Sequence, residues 1–283
     1  MDDRPPTTDA YARRDAYAET WRVAMEHTTE TESSLITFGR RGDRRVVLKV
    51  VKRPGDEWRS GEIVRVFGGR AMVLALEHND GAVLLERLEP GTSLSELVVR
   101  GEDDEATAII AGVIGAMRPD AAPTGCPTVD DWGGGFARYR ATGDRQVPDD
   151  LVTHAERVYV DLCATQRAPR LLHGDLQHYN VLYDDARGWV AIDPKGVIGE
   201  PEYELGAFIR NPVEQPSSFT NVSVVRARLG RATDALGLDR HRALAWSYAQ
   251  AVLSVIWGVE DGYAVIPSTP TLALAYALRP LIR

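Results

Sequence analysis

Residues 173–195 read HGDLQHYNVLYDDARGWVAIDPK, and this stretch decides the fold. Two short β-prone runs flank a cluster of turn residues, which predicts a β-hairpin. Asp175 lies in the polar loop before the first strand, and Asp193 ends the second. The hairpin would bring Asn180 beside Asp193, so that oxygens of both side chains could share Mg²⁺ with phosphate oxygens. Asp175 precedes Asn180 by five residues and could meet a substrate hydroxyl at the same metal centre.

The spacing of these residues resembles the protein kinase catalytic loop, H-R-D-x-x-x-x-N, with Gly174 in place of Arg and Asp193 in place of the D-F-G aspartate. More narrowly, HGDLQHYNVL followed by IDPKGVIGEPEYELG resembles the aminoglycoside phosphotransferase and hydroxyurea antibiotic resistance kinase family, and within it the streptomycin 6-kinases. The resemblance implies an ATP- and Mg²⁺-dependent phosphotransferase with Asp175 as catalytic residue and Asn180 and Asp193 as metal ligands. It also implies an α+β, bilobal protein-kinase-like fold, with a small antiparallel-sheet N-lobe carrying one helix and a larger, mostly helical C-lobe.

The pattern along the chain agrees with two lobes. We predict an N-terminal tail at residues 1–19, a β-rich nucleotide-binding N-lobe at 20–88, and a C-lobe at 89–283 with the catalytic loop, metal site and substrate pocket. The N-lobe contains four β-type runs and one segment of helical spacing, 57–67, in the order β-β-α-β-β. Beyond residue 89 the apolar spacing becomes helical.

The composition is that of a globular protein, with 44% hydrophobic residues among 283. No apolar run reaches the length of a membrane span, and the first residues are too polar for a signal peptide, so we expect a cytoplasmic protein without a membrane partner. The net charge of −8 disfavours nucleic acid and fits a cationic small-molecule substrate.

Lys49 is the candidate nucleotide lysine. Only three of the 33 basic residues are lysines, and this one lies within the apolar string VVLKVV. By resemblance to kinases its ammonium would contact the α- and β-phosphates of ATP. A buried ammonium needs an anionic partner. We expect Glu62, on the helical segment, to be that partner, with Glu57 as the competing candidate.

The remaining nucleotide contacts are also implied by the resemblance. The run VLLERL at 83–88 looks like the connector between lobes, where Leu85 would form the back wall of the adenine site. The Glu86 carbonyl and the Leu88 amide would bind adenine through the backbone. The Gly-rich phosphate loop of protein kinases is absent, and Ser33 and Ser34 are candidates to replace it, although an ordinary hairpin turn explains them too.

The last group of candidates supports the loop or binds the acceptor. His173 is expected to pin the catalytic loop from beneath, and Glu204 to brace it. Carboxylates could grip the guanidinium groups of streptomycin. The candidates for that role are Glu200, Glu202, Asp130, Asp131, Glu260 and Asp261.

Three functions remain open at this stage. The first is an antibiotic kinase acting on streptomycin, and the second is a kinase of the same fold acting on hydroxyurea or another metabolite. The third is a non-catalytic pseudokinase module, which the intact set of Lys49, Asp175, Asn180 and Asp193 argues against. The short segment after Asp193 leaves little platform for a polypeptide, so a protein kinase is disfavoured.

Overall fold

The computed structural model describes residues 8–55 and 57–282. Within these residues the strands are β1 (Ala24–Glu30), β2 (Ser34–Arg41), β3 (Arg44–Val51), β4 (Ala75–Asn79), β5 (Ala82–Glu86), β6 (Pro90–Ser93), β7 (Arg170–Leu172), β8 (Val181–Asp184), β9 (Gly188–Ala191) and β10 (Val197–Gly199). The helices are α1 (Thr8–Thr20), α2 (Ser60–Phe67), α3 (Ser95–Val99), α4 (Asp103–Ala116), α5 (Val129–Thr142), α6 (Asp149–Ala164), α7 (Leu205–Ile209), α8 (Ser217–Thr220), α9 (Val222–Leu236), α10 (Arg240–Glu260) and α11 (Pro270–Leu278). Short 3₁₀ helices cover His178–Asn180, Pro201–Glu204 and Arg279–Leu281.

The chain forms two compact units that are each built from several segments. Unit 1 contains the residues up to Thr92 together with 116–124 and 182–195, and unit 2 contains 93–115, 125–181 and 196 onward. Unit 1 holds the main antiparallel sheet and unit 2 holds most of the helices, so the α+β architecture agrees with the prediction. The single boundary that we predicted between residues 88 and 89 differs from this division, because two later segments pack into unit 1.

Unit 1 is organised around a five-stranded antiparallel sheet with strand order β1-β2-β3-β5-β4. Alternate residues of the central strands are fully buried, among them Leu48 on β3 and Leu84 on β5. The helix α2 follows the predicted helical spacing, since Ile63, Val64 and Phe67 share its buried face. It begins at Ser60, three residues later than predicted, and this shift affects the candidate site.

The predicted N-terminal tail is wrong for residues 8–19, which form most of α1. Its Ala10 and Ala18 are buried in the same core as Leu35 and Leu48 of the sheet. Two small residues eight positions apart share one face of a helix, but alanine carries little hydrophobic signal among polar neighbours. This explains why the sequence read as a tail; residues 1–7 lie outside the described part of the chain.

The predicted hairpin of residues 180–193 is present as β8 and β9, which join β6 in a second sheet. Asp184 organises the turn by accepting hydrogen bonds from the amides of Ala186 and Arg187, both at 3.0 Å. The Val73 amide donates to the carbonyl of Ala191 at 2.9 Å. Backbone pairing therefore ties this late hairpin to the first unit.

Unit 2 is built around α10, a buried helix of 21 residues. Its Trp246 is fully buried and makes edge contacts with Tyr159 and Tyr203, each at a ring-centroid distance of 5.0 Å. The antiparallel pair of β7 and β10 carries the residues that lead into and out of the catalytic loop. Among residues 8–55 and 57–282, no helix is long and apolar enough to cross a membrane.

Candidate active site

Unit 1 contains a cavity of about 390 Å³, a size that suits a small organic ligand. The cavity is largely apolar and has charged groups at Lys49 and Asp193. Its lining includes the predicted back-wall and connector residues Leu85, Glu86 and Leu88. An apolar cavity with a few charged groups could hold an aromatic base together with a polyanionic tail.

Lys49 lies on β3 and is only 7% exposed. Its ammonium forms ion pairs with the carboxylate of Asp193 and, at 2.9 Å, with that of Glu57. A buried ammonium would be strongly disfavoured without such partners. Two carboxylates therefore hold the ammonium of Lys49, and one of them belongs to the predicted metal ligand Asp193.

The predicted Lys49–Glu62 ion pair is wrong, because Glu57 occupies that position. Glu62 instead accepts a hydrogen bond from the Nε of Arg59 at 2.8 Å, and its side chain is 39% exposed. The error arose from the start of α2, which lies at Ser60 rather than at residue 57. Glu57 therefore belongs to the turn before the helix, and the buried face of α2 carries apolar side chains in place of Glu62.

Glu57 gathers several groups of unit 1 around one carboxylate. Lys195 also forms an ion pair with it, and the hydroxyls of Ser33 and Ser34 donate to its Oε2 at 3.2 and 3.4 Å. Burial by itself would raise the pKa of Glu57, but the ammonium groups of Lys49 and Lys195 outweigh it and lower the pKa to about 2. Contact of Ser33 and Ser34 with phosphate stays a prediction.

The connector residues line the cavity, but the Glu86 side chain has a structural role. Its carboxylate accepts from the Leu74 amide at 2.9 Å and pairs with the guanidinium of Arg187. Arg187 also donates to the carbonyl of Met72 at 3.0 Å. These bonds connect the β8–β9 turn to the five-stranded sheet of unit 1. Adenine binding by the backbone of residues 83–88 stays a prediction.

Asp193 has a positive φ of 57°, which is uncommon for a residue other than glycine. Such a conformation costs on the order of 1 kcal/mol and tends to occur where a side chain must be aimed. It follows β9 by two residues and directs a carboxylate to the Lys49 ammonium. A carboxylate fixed in this way fits the oxygen chemistry that Mg²⁺ requires.

Asp175, in unit 2, has polar partners on its own loop and directly after α7. The Nδ2 of Asn180 donates to the Asp175 carbonyl at 2.8 Å and to its Oδ2 at 3.3 Å. Because the side-chain nitrogen of Asn180 donates to Asp175, the side-chain oxygen of Asn180 is not used in these bonds, and an oxygen is what a cation would bind. The guanidinium of Arg210 lies 3.7 Å from Oδ1 of Asp175 and also donates to Gln250. The sharing of one ion by Asn180 and Asp193 stays a prediction.

Glu204 and His173 both accept hydrogen bonds from backbone amides of the loop that contains Asp175. Glu204 is 3% exposed and accepts from the backbone amides of His173 and Gly174 at 2.7 and 3.0 Å. Burial raises its pKa to about 7, against the opposing effect of these two amides. The buried ring of His173 accepts from the Asp175 amide at 3.3 Å, so both residues support the loop.

Two of the predicted acceptor ligands are wrong, because Glu200 and Glu202 are buried in unit 2. Glu200 is fully buried, accepts two hydrogen bonds from Arg242 at 2.7 and 3.0 Å on Oε1, and also accepts from the Trp246 indole. Glu202 is 6% exposed and accepts from the Asp239 amide at 3.1 Å. Both carboxylates therefore serve the packing of α10 onto the segment after the catalytic loop.

The other four acidic candidates are exposed, and their surroundings differ. Asp131 closes a capping box with Thr128 at the start of α5, and this hydrogen bonding lowers its pKa. Glu260 pairs with Arg138 at 3.3 Å, and Asp261 caps the end of α10. Contact of Asp130, Asp131, Glu260 or Asp261 with a substrate stays a prediction.

Sequence reasoning missed two unit 2 groups near the catalytic loop. Trp132 packs so closely on Gly174 that an added Cβ there would lie 2.9 Å from the indole. The same indole meets Trp257 edge-on at 5.9 Å. The signal for Arg210 was a single arginine within the apolar run ELGAFIR, although only the fold shows which carboxylate it approaches.

Solved structures share this architecture. The crystal structure of a thermostable mutant of aminoglycoside phosphotransferase APH(4)-Ia, in a ternary complex with ADP and hygromycin B, matches with a TM-score of 0.63 at 17% sequence identity. The match covers 94% of this chain and 95% of that chain. The fold is therefore that of the protein-kinase-like phosphotransferases, as predicted.

Residues 21–262 match the family described as aminoglycoside/hydroxyurea antibiotic resistance kinase, and the chain belongs to that family. It is 30% identical over 255 residues to streptomycin 6-kinase from Streptomyces griseus, covering 87% of this chain and 82% of that protein. It is 32% identical over 260 residues to streptomycin 3″-kinase from Klebsiella pneumoniae, covering 86% and 91%. The predicted family is confirmed, and the protein is an enzyme of the phosphotransferase class.

Proposed function

We propose that this protein transfers the γ-phosphate of ATP to a hydroxyl of a small cationic antibiotic, with the 6-hydroxyl of streptomycin as the acceptor. The observation that carries the proposal is the pairing of Lys49 with Asp193 in the lining of an apolar cavity. A lysine and a carboxylate held together in this way are the parts that kinases use for nucleotide phosphates and their metal. Residues 20–88 would supply most of the nucleotide site, and residues 89–283 the base and the acceptor site.

In this proposal, Asp175 accepts a hydrogen bond from the acceptor hydroxyl, orients it, and takes its proton late in the transfer. The hydroxyl oxygen forms the new bond to phosphorus as the bond to the bridging oxygen of ADP breaks. Lys49 neutralises charge on the phosphate oxygens, and Glu57 keeps its ammonium in position. Most of the acceleration would come from positioning and electrostatics.

Mg²⁺ would supply charge neutralisation at the phosphates when bound. Asp193 and Asn180 offer carboxylate and amide oxygens, which suit this hard ion. The carboxylate is aimed by a positive φ, and the amide by its bonds to Asp175. These features support the two residues as its protein ligands.

A cationic acceptor is supported by the chemistry of unit 2. Trp132 lies against Gly174, directly before the proposed base, and an indole face attracts a guanidinium by cation–π interaction. The exposed acidic residues Asp130 and Asp131 directly precede this tryptophan in the sequence. Burial of Glu200 and Glu202 shifts the proposed recognition from carboxylates of that segment to this aromatic and acidic surface.

Hydroxyurea is the alternative acceptor, because the family description includes hydroxyurea kinases. It is a small neutral molecule, so it would gain little from an acidic and aromatic surface. A pseudokinase is disfavoured, since Lys49, Asp175, Asn180 and Asp193 are all present. We also propose that the protein acts in the cytoplasm, where ATP is available, and the net charge of −8 disfavours nucleic acid as a partner.

The test is ADP release by the purified protein with ATP, Mg²⁺ and a panel containing streptomycin, other aminoglycosides, aminocyclitols and hydroxyurea. We expect streptomycin-dependent turnover that Asp175→Asn reduces by about 10²- to 10⁴-fold, with the phosphorylated position established by NMR of the product. Equal turnover by Asp175→Asn would contradict the assigned base. Turnover with another acceptor but none with streptomycin would reject the substrate and leave the kinase assignment standing.

A further inference from the structure

Lys195 is a second lysine on the carboxylate that holds Lys49. Its ammonium forms an ion pair with Oε1 of Glu57, while Lys49 lies 2.9 Å from Oε2 of the same group. The Glu57 side chain is 13% exposed and that of Lys195 is 26% exposed. One largely buried carboxylate thus holds two ammonium groups, and the proposed mechanism uses only that of Lys49.

Four charged side chains are ion-paired around Glu57, and their formal charges cancel. Lys49 and Lys195 contribute two positive charges, and Glu57 and Asp193 contribute two negative ones. A nucleotide tail brings several negative charges into this group, and a carboxylate that coordinates Mg²⁺ is no longer available to compensate an ammonium. With a metal-nucleotide bound, the anionic groups around the two lysines therefore outnumber the cationic ones. The added phosphate charge attracts the Lys195 ammonium.

The choice of residue type supports a role beyond bracing. The chain uses arginine for nearly all of its 33 basic residues, yet two of its three lysines converge on one carboxylate. Arginine forms the stronger bidentate pair with a carboxylate, whereas a compact ammonium can be shared between two anions. The hydroxyls of Ser33 and Ser34 bind the same carboxylate, which gathers the candidate phosphate turn around it.

We propose that Lys195 is a second phosphate-binding lysine, which Glu57 holds beside Lys49 and which contacts a nucleotide phosphate oxygen when the nucleotide binds. This inference rests on the proposed ATP site in unit 1. It predicts that Lys195 contributes to the affinity for the phosphates of the nucleotide and not to the affinity for its adenosine part. If the Lys195–Glu57 salt bridge only stabilised the fold, its loss would change the affinities for ADP and for adenosine equally, or change neither.

The test is calorimetric titration of the full-length protein and Lys195→Met with ADP in the presence of Mg²⁺, and with adenosine. We expect Lys195→Met to weaken ADP binding by about 10- to 100-fold, the equivalent of one lost charge-assisted hydrogen bond. Adenosine binding should change by less than about twofold, since no phosphate is present. Lys52→Met is the matched control, because that ammonium is bonded to Glu30 and to the carbonyl of Thr31. It should leave the affinity for ADP unchanged.

A measurement on the unaltered protein covers the case in which Lys195→Met does not fold. With three lysines in the chain, amine acetylation followed by peptide mass spectrometry reports on each separately. ADP with Mg²⁺ should slow the acetylation of Lys195 severalfold, and adenosine should not.

The outcomes separate this inference from the proposed function. Absence of ADP binding to the wild-type protein would reject the ATP site itself. If ADP binds and Lys49→Met weakens it, an unchanged affinity in Lys195→Met, or equal losses for ADP and adenosine, would overturn the role of Lys195 alone. Equal acetylation of Lys195 with ADP and with adenosine would overturn it as well.

Discussion

Replacing Glu200 with alanine distinguishes a carboxylate of the protein core from a carboxylate that binds substrate. In the structure its oxygens accept from the guanidinium of Arg242, the indole of Trp246 and, at 3.0 Å, the amide of Arg167. The substitution would leave the largely buried Arg242 without its counter-ion. Breaking a buried ion pair from one side costs about 3–5 kcal/mol.

The structure favours a value near the middle of that range. The unpaired Trp246 indole adds to the cost, since an unsatisfied buried donor is worth about 1–3 kcal/mol. Arg242 keeps hydrogen bonds to Thr165 and to the carbonyl of Leu162, which limits the loss. We therefore expect the free energy of unfolding to fall by about 4 kcal/mol, and the melting temperature by about 10 °C.

The assay is urea unfolding of Glu200→Ala followed by circular dichroism, with the KM for streptomycin measured at a temperature where the variant is folded. Glu260→Ala is the matched control, because its exposed pair with Arg138 should contribute less than about 1 kcal/mol. An unchanged unfolding midpoint for Glu200→Ala, together with a large rise in the KM, would refute the reasoning. It would mean that the carboxylate faces the acceptor after all.

Three further predictions follow from the site. Glu57→Gln should weaken ADP binding by about 10-fold or more in calorimetry, whereas Glu62→Gln should change it by less than about twofold, since Glu57 contacts the Lys49 ammonium and Glu62 bonds Arg59 instead; equal effects would contradict the revised pairing. The pKa of Glu57 is depressed in the fold, so its contribution of about 3 kcal/mol should be present above pH 4.5 and lost as the pH falls toward 2. Urea unfolding of wild type and Glu57→Gln across that pH range measures this contribution as the difference between their free energies of unfolding. A difference that grows as the pH falls would contradict the prediction. Trp132→Leu should raise the KM for streptomycin by about 2- to 30-fold with little change for hydroxyurea, and parallel changes in steady-state kinetics with both acceptors would speak against an aromatic contact with guanidinium.

Much of the candidate site could be predicted because its signals are local. Asp175 and Asn180 are five residues apart on one loop, and Asn180 does contact Asp175 in the fold. Lys49 was recognisable because valines and a leucine surround it on a buried strand. Glu204 was expected to brace the loop, and it accepts hydrogen bonds from the amides of His173 and Gly174.

Other features could not be predicted because they depend on small shifts or weak signals. The start of α2 lies three residues after the predicted start, and this moved Glu57 into the turn where it meets Lys49. The helix α1 buries mainly alanines, whose apolar surface is too small to reveal a buried face among polar neighbours. Helix boundaries are the least reliable part of a sequence-based assignment.

The sequence by itself determined the α+β fold class, the phosphotransferase family and the order of the candidate groups in residues 173–195. These depend on short-range spacing and on apolar runs, which are visible in the linear sequence without the tertiary structure. The tertiary structure alone decided that Glu57 and Lys195 join Lys49, that Arg210 lies near Asp175, and that Glu200 is a buried ion-pair partner. The physical reason is that the role of a carboxylate depends on its burial and on the cations packed around it. In this protein Lys195 lies 138 positions from Glu57 in the chain, and Arg242 lies 42 positions from Glu200.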